Sequence, residues 1–256
     1  MENIEHLRRL REFELECALQ SFPDPTRGDV ACSVLEIGAG TGHQARMLAD
    51  RGYAVIAVDV ASSSYRAQRV FPIREFDGIT IPVATASVSV VFSSNVLEHI
   101  SGIDPFLDEI NRVLEHNGII IHILPTPAWR FWTILGHYGW LAKRLYASLV
   151  RRDHGGSTGA PPVGIPSFRR RLIGALFPLR HGERGSTVTE MYYYSQRWWR
   201  RKFTTHCCQV LASYPCGLFY TGANVLGDCL PIAWRRRMSQ WLGSASRIYV
   251  LHCDDK

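Results

Sequence analysis

Lysine is nearly missing from this sequence of 256 residues. Only Lys143, Lys202 and Lys256 occur among 29 basic residues, so arginine carries almost all of the formal charge of +6. Arginine's planar fork suits carboxylate and phosphate recognition, and an arginine-favouring codon usage accounts for the bias equally well. No CxxC pair occurs among the seven cysteines, Cys17, Cys32, Cys207, Cys208, Cys216, Cys229 and Cys253. An odd number without metal-ligand spacing argues against a structural zinc site and for a reduced, cytoplasmic chain whose thiols act as small hydrophobes. No uninterrupted apolar run is long enough for a membrane span. The best candidate, Gly118 to Ala142, contains His122, Pro125, Pro127, Arg130 and His137, which a lipid-buried helix tolerates poorly. The opening "MENIEHLRRLREFELECALQ" is charged from its second residue and does not read as a secretory signal. Neither a repeat nor a low-complexity block is present, and the length suits one domain with a decorated edge.

What is present is alternation. Ile4 to Gln20 spaces its apolar residues as an amphipathic helix, and "SFPDPTRGD" is a linker. Short apolar strands then alternate with helices: strand Val34–Ile37, helix Gln44–Asp50, strand Tyr53–Val58 ending at Asp59, a less regular stretch to Asp77, strand Val88–Ser93, helix Pro105–Glu115 closed by Asn117-Gly118, and strand Ile119–Leu124. Near-continuous apolar strands between helices imply an α/β fold with a mostly parallel sheet covered on both faces. Ligands bind such sheets beyond the carboxyl ends of the strands. After Pro125 the alternation stops, in an aromatic helix and the loop-rich Asp153–Phe168. It resumes with a helix at Ser195–Thr204, a strand at Cys208–Ala212, a helix near Ile232–Leu242 and a last strand Arg247–His252. The expected organisation is an N-terminal helix and linker (1–31), a cofactor-binding core (32–126), a capping insertion that meets the acceptor (127–190) and a completion of the sheet (191–256).

The chemistry concentrates in "VLEIGAGTGH", Val34 to His43. Gly38 permits a sharp strand-to-helix turn, and Gly40 and Gly42 allow close approach of something bulky. A dinucleotide fingerprint needs G-x-G-x-x-G, and here the third glycine comes one residue early. Glu36, just before the loop, would repel a pyrophosphate and attract an ammonium or sulfonium. Asp59, at the end of the second strand, is placed to accept from a ribose diol. A nucleoside with positive charge and no phosphate answers to both acids, and S-adenosylmethionine is such a molecule.

The motifs "VLEIGAGTG", "AVIAVDV", "FDGITIPVATASVSVVFSSNVLEHI" and "FLDEINRVLEHNGIIIHILPT" resemble, in order and spacing, those of class I S-adenosylmethionine-dependent methyltransferases over roughly residues 32–126. The resemblance implies a Rossmann-like sheet of seven strands with a reversed last strand, helices on both faces and a capping insertion. It implies that Glu36, Gly38, Ala39, Gly40 and Gly42 hold the methionine end, that Asp59 and Val60 meet the ribose, that Asp77 and Gly78 reach the adenine, and that Ser94 and Asn95 lie against the cofactor. The sequence departs from the family at Val88-Ser89, where "FD" is usual; a structural consequence is expected there. "HGERGSTVTEMYYYS", Trp199, "GLFYTG" and "LGSASRIYVL" resemble methyltransferases of bacterial surface-polysaccharide clusters.

For the transfer itself, His99 and His181 are the candidate bases. Glu183 and Glu190 are candidates for binding acceptor hydroxyls or for solvated loop. His122 reads as a core histidine. No nucleophile elbow and no metal-ligand spacing is found, so no metal is expected. Trp129, Phe131, Trp132, Tyr138 and Trp140 beside Arg130, Lys143 and Arg144 fit stacking on a sugar, a peripheral membrane contact, or plain packing. The arginine clusters 151–152, 169–171, 200–202 and 235–237 come without a nucleic-acid recognition module. The expected partner is a small-molecule or glycan acceptor and not a nucleic acid. A methyltransferase-fold cyclase or a non-catalytic cofactor-binding protein is the alternative.

Overall fold

The computed structural model describes residues 4–27, 30–152, 180–222 and 230–253. Helix α1 (Ile4–Leu19) leads into a short antiparallel pair, β1 (Thr26–Arg27) and β2 (Val30–Ala31). Then follow β3 (Ser33–Ile37), α2 (His43–Ala49), β4 (Ala54–Val60), β5 (Ile73–Phe76), β6 (Val88–Ser94), α3 (Ile103–Val113) and β7 (Leu114–Pro125). The second half contributes α4 (Pro127–Arg152), α5 (Glu190–Tyr193), α6 (Gln196–Thr205), β8 (Cys208–Pro215), α7 (Ile232–Leu242) and β9 (Ser246–Cys253).

Seven strands form one sheet in the order β5-β4-β3-β6-β7-β9-β8. β5, β4, β3, β6 and β7 pair in parallel, and β9 runs antiparallel to both neighbours. The last strand of the chain is thus the reversed one, inserted between β7 and β8. Consecutive strand residues face opposite sides, and both sides are covered. Val34, Val90 and Ile121 pack with Leu15 and Ala18 of α1 and Leu48 of α2. Leu35, Val91 and Ile120 pack with Phe106, Leu107 and Ile110 of α3 and with Trp199 and Phe203 of α6. In α3 the buried Ile103, Phe106, Leu107, Ile110 and Val113 recur at helical spacing, which is why this segment folds as a helix on a sheet.

The structure corrects three readings and shows one member of an arginine cluster to be buried. The helix before β7 ends at Val113, and Asn117 (φ 62°) lies inside the strand, where the register jumps from Val88↔Leu114 to Val90↔Ile119. The Asn-Gly pair therefore serves a bulge and not a helix cap. Ile73–Phe76, read as irregular, is edge strand β5. Cys208 and Cys253, taken as free thiols, are joined by a disulfide, because the antiparallel register of β8 and β9 sets them directly opposite, Cα–Cα 4.0 Å. Cys17, Cys32, Cys207 and Cys216 are free, and Cys229 lies outside the described residues. Arg235 is no surface cation: it is buried, donating to the Phe219 and Leu230 carbonyls. Among the described residues no helix is long and apolar enough to cross a membrane. The loop Asp153–Phe168, the 169–171 arginines and His154 lie outside the described residues.

At the Val88-Ser89 departure, Ser89 N donates to Ser33 Oγ at 2.8 Å and the two hydroxyls lie 3.1 Å apart. These atoms are at the start of β3 and β6, the end opposite the glycine loop.

Candidate active site

A cleft of about 390 Å³ opens over the carboxyl ends of β3 and β6, where the strand order reverses direction and a ligand crevice forms. Its floor is Gly38, Ala39, Gly40 and Thr41 on one side and Ser94 and Asn95 on the other. Its walls are His6, Leu7, Leu10 and Arg11 of α1, then Tyr65, His99, Trp129, His181 and Tyr220. Of the expected residues, Gly38, Ala39, Gly40, Ser94, Asn95, His99 and His181 line this cleft. Glu36, Gly42, Asp59, Val60, Asp77 and Gly78 do not; they sit at or just beyond the ends of β3, β4 and β5.

The three glycines have different duties. All take positive φ: 70°, 56° and 79° at Gly38, Gly40 and Gly42. A Cβ on Gly38 would lie 2.4 Å from Val96 Cγ2, and one on Gly42 2.8 Å from Phe71 Cβ. Those two are bare because the protein packs against them. A Cβ on Gly40 would meet nothing closer than Tyr65 at 3.5 Å, so its bareness leaves open space in the cleft.

Glu36 is buried, its Oε2 has no hydrogen-bond partner, and burial with the nearby Asp59 charge pushes its carboxyl up to about 8. A buried, unpaired carboxyl behind a bare loop is matched to a cationic or hydrogen-donating ligand group. Asp59 holds the loop in shape: Oδ2 accepts from Gly40 N at 3.1 Å and Oδ1 from Val60 N at 2.9 Å. Asp77 is exposed, and its Oδ1 accepts from Ile79 N and Thr80 N, both at 2.8 Å, which lowers its pKa. Asn95 sits at φ 56° with Nδ2 directed to Glu14 Oε2 at 3.3 Å.

Over the floor, the His181 ring contacts His99 and Trp129, each at 4.7 Å between centroids. Burial pushes the His181 imidazole down to about 3. His99 keeps 42% of its side chain exposed, and its pKa is lowered mainly by burial, with Glu183 acting in the opposite sense. Glu98 is buried with both oxygens unpartnered, 3.8 Å from His99 Nε2, and burial pushes it up to about 8. One ligand atom each of Glu98, His99 and His181 lies within 4.8 Å of the others. Two imidazoles and a buried carboxyl brought this close can exchange protons or hold a divalent ion.

One expectation changes here. Glu190 neither lines the cleft nor meets solvent: it is fully buried, accepts from His181 N and Gly182 N at 2.7 and 2.6 Å, and pairs with buried Arg130 at 2.8 Å. It fixes the loop carrying His181. Glu183 is exposed and pairs with Arg180. His122 is the expected core histidine, with Ser93 Oγ 2.8 Å from Nδ1.

Sequence reading missed the role of α1. Glu14 is fully buried and takes Arg11, the Tyr220 and Ser246 hydroxyls and Asn95 as partners. The signal was there, since Leu7, Leu10 and Glu14 share one helical face and a lone acid on an apolar face demands partners. Glu14→Ala leaves four donors without this acceptor. Because Arg11 keeps 24% of its side chain in water, the expected loss of unfolding free energy in urea is about 2–3 kcal/mol, below the range for a wholly buried pair.

Residues 35–122 match the family described as methyltransferase domain. A stretch of 97 residues is 36% identical to a probable S-adenosylmethionine-dependent methyltransferase of Mycolicibacterium smegmatis, covering 36% of this chain and 37% of that protein. A stretch of 90 residues is 33% identical to the biotin biosynthesis bifunctional protein BioHC of Cellvibrio japonicus, covering 33% of this chain and 18% of that one. The chain thus matches well under two thirds of either curated relative. Among solved structures, an S-adenosylmethionine-dependent methyltransferase of Mesorhizobium loti superposes with a TM-score of 0.54 over 93% of this chain and 97% of its own, at 10% identity. Residues 35–122 are therefore similar to a methyltransferase domain, and the sheet has the fold seen in solved S-adenosylmethionine-dependent methyltransferases.

Proposed function

We propose that the protein is an S-adenosylmethionine-dependent methyltransferase that methylates a hydroxyl of a saccharide-type or other small acceptor. The observation that carries the cofactor is Glu36: a buried carboxyl with an orphaned oxygen directly behind a glycine loop whose middle member is open to the cleft. In this reading Glu36, Gly38, Ala39, Gly40 and Gly42 hold the methionine end, Asp59 and Val60 the ribose, and Asp77 and Gly78 the adenine. Ser94 and Asn95 lie along the cofactor. Residues 32–126 bind it, 127–190 cap the acceptor side, 191–256 complete the sheet, and the helix within 1–31 closes the cleft.

Bound there, S-adenosylmethionine supplies a methyl group activated by its sulfonium. Displacement at that carbon depends chiefly on alignment, and a hydroxyl acceptor gains from a base that removes its proton. His99 suits the task better than His181: burial lowers its pKa with Glu183 acting in the opposite sense, whereas burial pushes His181 down to about 3, which makes it a weak base. His181 and Trp129 then present a ring wall to the acceptor, in keeping with a sugar face. The surface-polysaccharide resemblance of the second half supports the same acceptor class. The exposed Phe131, Leu135 and Tyr138 at the start of α4 support a peripheral contact with a membrane. A cyclase would use the same cofactor site and is separated from this reading by its products.

Calorimetric titration with S-adenosylmethionine, S-adenosylhomocysteine and NAD tests the cofactor reading. The first two are expected to bind and NAD is not; NAD binding in preference to the other two would overturn it. The sign of the proton linkage is also fixed. A carboxyl raised to about 8 in the free protein is mostly protonated at pH 7, and a cation beside it lowers its pKa. Binding at pH 7 therefore releases close to one proton, and affinity rises with pH up to about 8. Titrations in buffers of different ionisation enthalpy measure this release, and Glu36→Gln is expected to abolish it.

A further inference from the structure

One surface feature is used neither by the packing nor by the cleft. Helix α7 buries Arg235 toward the protein, and along its solvent side Trp234, Arg237 and Trp241 follow one another at i, i+3 and i+7, a single stripe. Trp241 is 89% exposed and Trp234 56%. The Arg237 guanidinium stacks over the Trp234 ring at 5.5 Å, and Arg236 reaches over Phe13 at 5.8 Å. Indole is among the most costly side chains to leave in water, so two on one stripe mark a contact surface. The end of α7 lies against the start of α4: Trp132 Nε1 donates to the Leu242 carbonyl at 2.9 Å, and a Cβ on Gly243 would come within 2.8 Å of Ala128 Cβ. There α4 exposes Phe131, Leu135 and Tyr138, at i, i+4 and i+7 of one helical face.

We propose that α7 and the start of α4 form a docking surface for an anionic phospholipid bilayer, with the Trp234–Arg237–Trp241 stripe lying in the headgroup layer. Tryptophan and tyrosine favour that depth, where one edge of the ring is apolar and the other wet, and arginine beside them reaches phosphates. The net charge of +6 adds attraction to an anionic surface. No described helix can cross the bilayer, so the contact runs along it. A second copy fits poorly, because a two-fold interface places the same patch on both sides and would bring the Arg237 cation of each copy into a surface of like charge. This surface lies outside the cleft and needs no assumption about the methyl acceptor.

The test is sedimentation of the full chain with vesicles of phosphatidylcholine alone and of an equal mixture with phosphatidylglycerol, with tryptophan emission recorded. Binding to the mixed vesicles only is expected, with a blue shift and with weakening in high salt. The double variant Trp234→Ser/Trp241→Ser loses the shift and the binding, and Arg236→Glu/Arg237→Glu lowers affinity at least roughly tenfold; circular dichroism confirms that both are folded. The proposal is overturned if mixed vesicles do not sediment the parent chain, or if folded double variants bind like the parent. It is equally overturned if the parent is a dimer that Trp234→Ser/Trp241→Ser converts to monomer without any vesicle binding.

Discussion

Exchanging Gly40 for valine is expected to abolish binding of S-adenosylmethionine while leaving a folded protein. The position tolerates a Cβ as far as the protein is concerned, since the nearest atom would be Tyr65 Cδ2 at 3.5 Å. What a side chain would occupy is the cleft floor, where the cofactor must approach the backbone. The backbone at φ 56° charges any non-glycine residue about 1–2 kcal/mol, so the melting temperature falls only by several degrees. Gly38→Ala provides the contrast. Its Cβ would collide with Val96 at 2.4 Å, so it is expected to lose stability first, by strain and overpacking of roughly 2–5 kcal/mol together. Thermal melts beside calorimetry separate the two cases. If Gly40→Val binds cofactor as the parent does, the loop is not the cofactor floor.

The second large effect concerns the proton. His99→Gln keeps the size and some hydrogen-bonding capacity of the ring but cannot take a proton, so turnover is expected to fall about 10²–10⁴-fold with cofactor affinity barely changed. In the parent, the rate rises with pH through a pKa below 6.5 and levels off near neutrality, because burial of His99 favours its neutral form. The variant loses that acid limb. His181→Asn should act differently: it removes a ring from the acceptor wall, raising KM, and leaves the acid limb in place. The charged groups facing these imidazoles are Glu98 on the same segment as His99, Glu183 beside His181, Arg11 on α1 and Arg130 on α4, so the limb is read against Glu98→Gln as well. If both histidine variants keep the parent rate, positioning alone drives the transfer and an amine or carbon acceptor fits better.

Where the sequence could be read correctly, the information was local. The strand at Val88–Ser94, the helix at Ile232–Leu242 and the glycine turn are each specified by periodicity or backbone demand within a dozen residues. β5 escaped because it is a short edge strand: Ile73 and Phe76, on opposite faces, are half-buried, while Arg74 and Glu75 between them are exposed, so no apolar run announces it. The misread residues are those whose meaning lies in a distant partner. Glu190 looked like a loop acid, yet Arg130 in α4 claims it. Glu14 looked like one more charge on an amphipathic helix, yet it meets Tyr220 and Ser246 from the other end of the chain. The Cys208–Cys253 bridge follows from strand register across 45 residues, which spacing alone does not encode. The same applies to the cleft: its floor was legible in Val34–His43, whereas the wall supplied by α1 depends on how that helix folds back over the strand ends.

The most direct test of the account is to incubate the purified protein with S-adenosylmethionine labelled in its methyl group, together with an extract containing glycans and small metabolites. The account predicts protein-dependent appearance of label in an ether-linked methyl group of a saccharide or other hydroxylated small molecule, with S-adenosylhomocysteine formed in equal amount and both lost in Gly40→Val. Label recovered in methylthioadenosine, with no methylated acceptor, would contradict methyl transfer and establish the cyclase chemistry in its place.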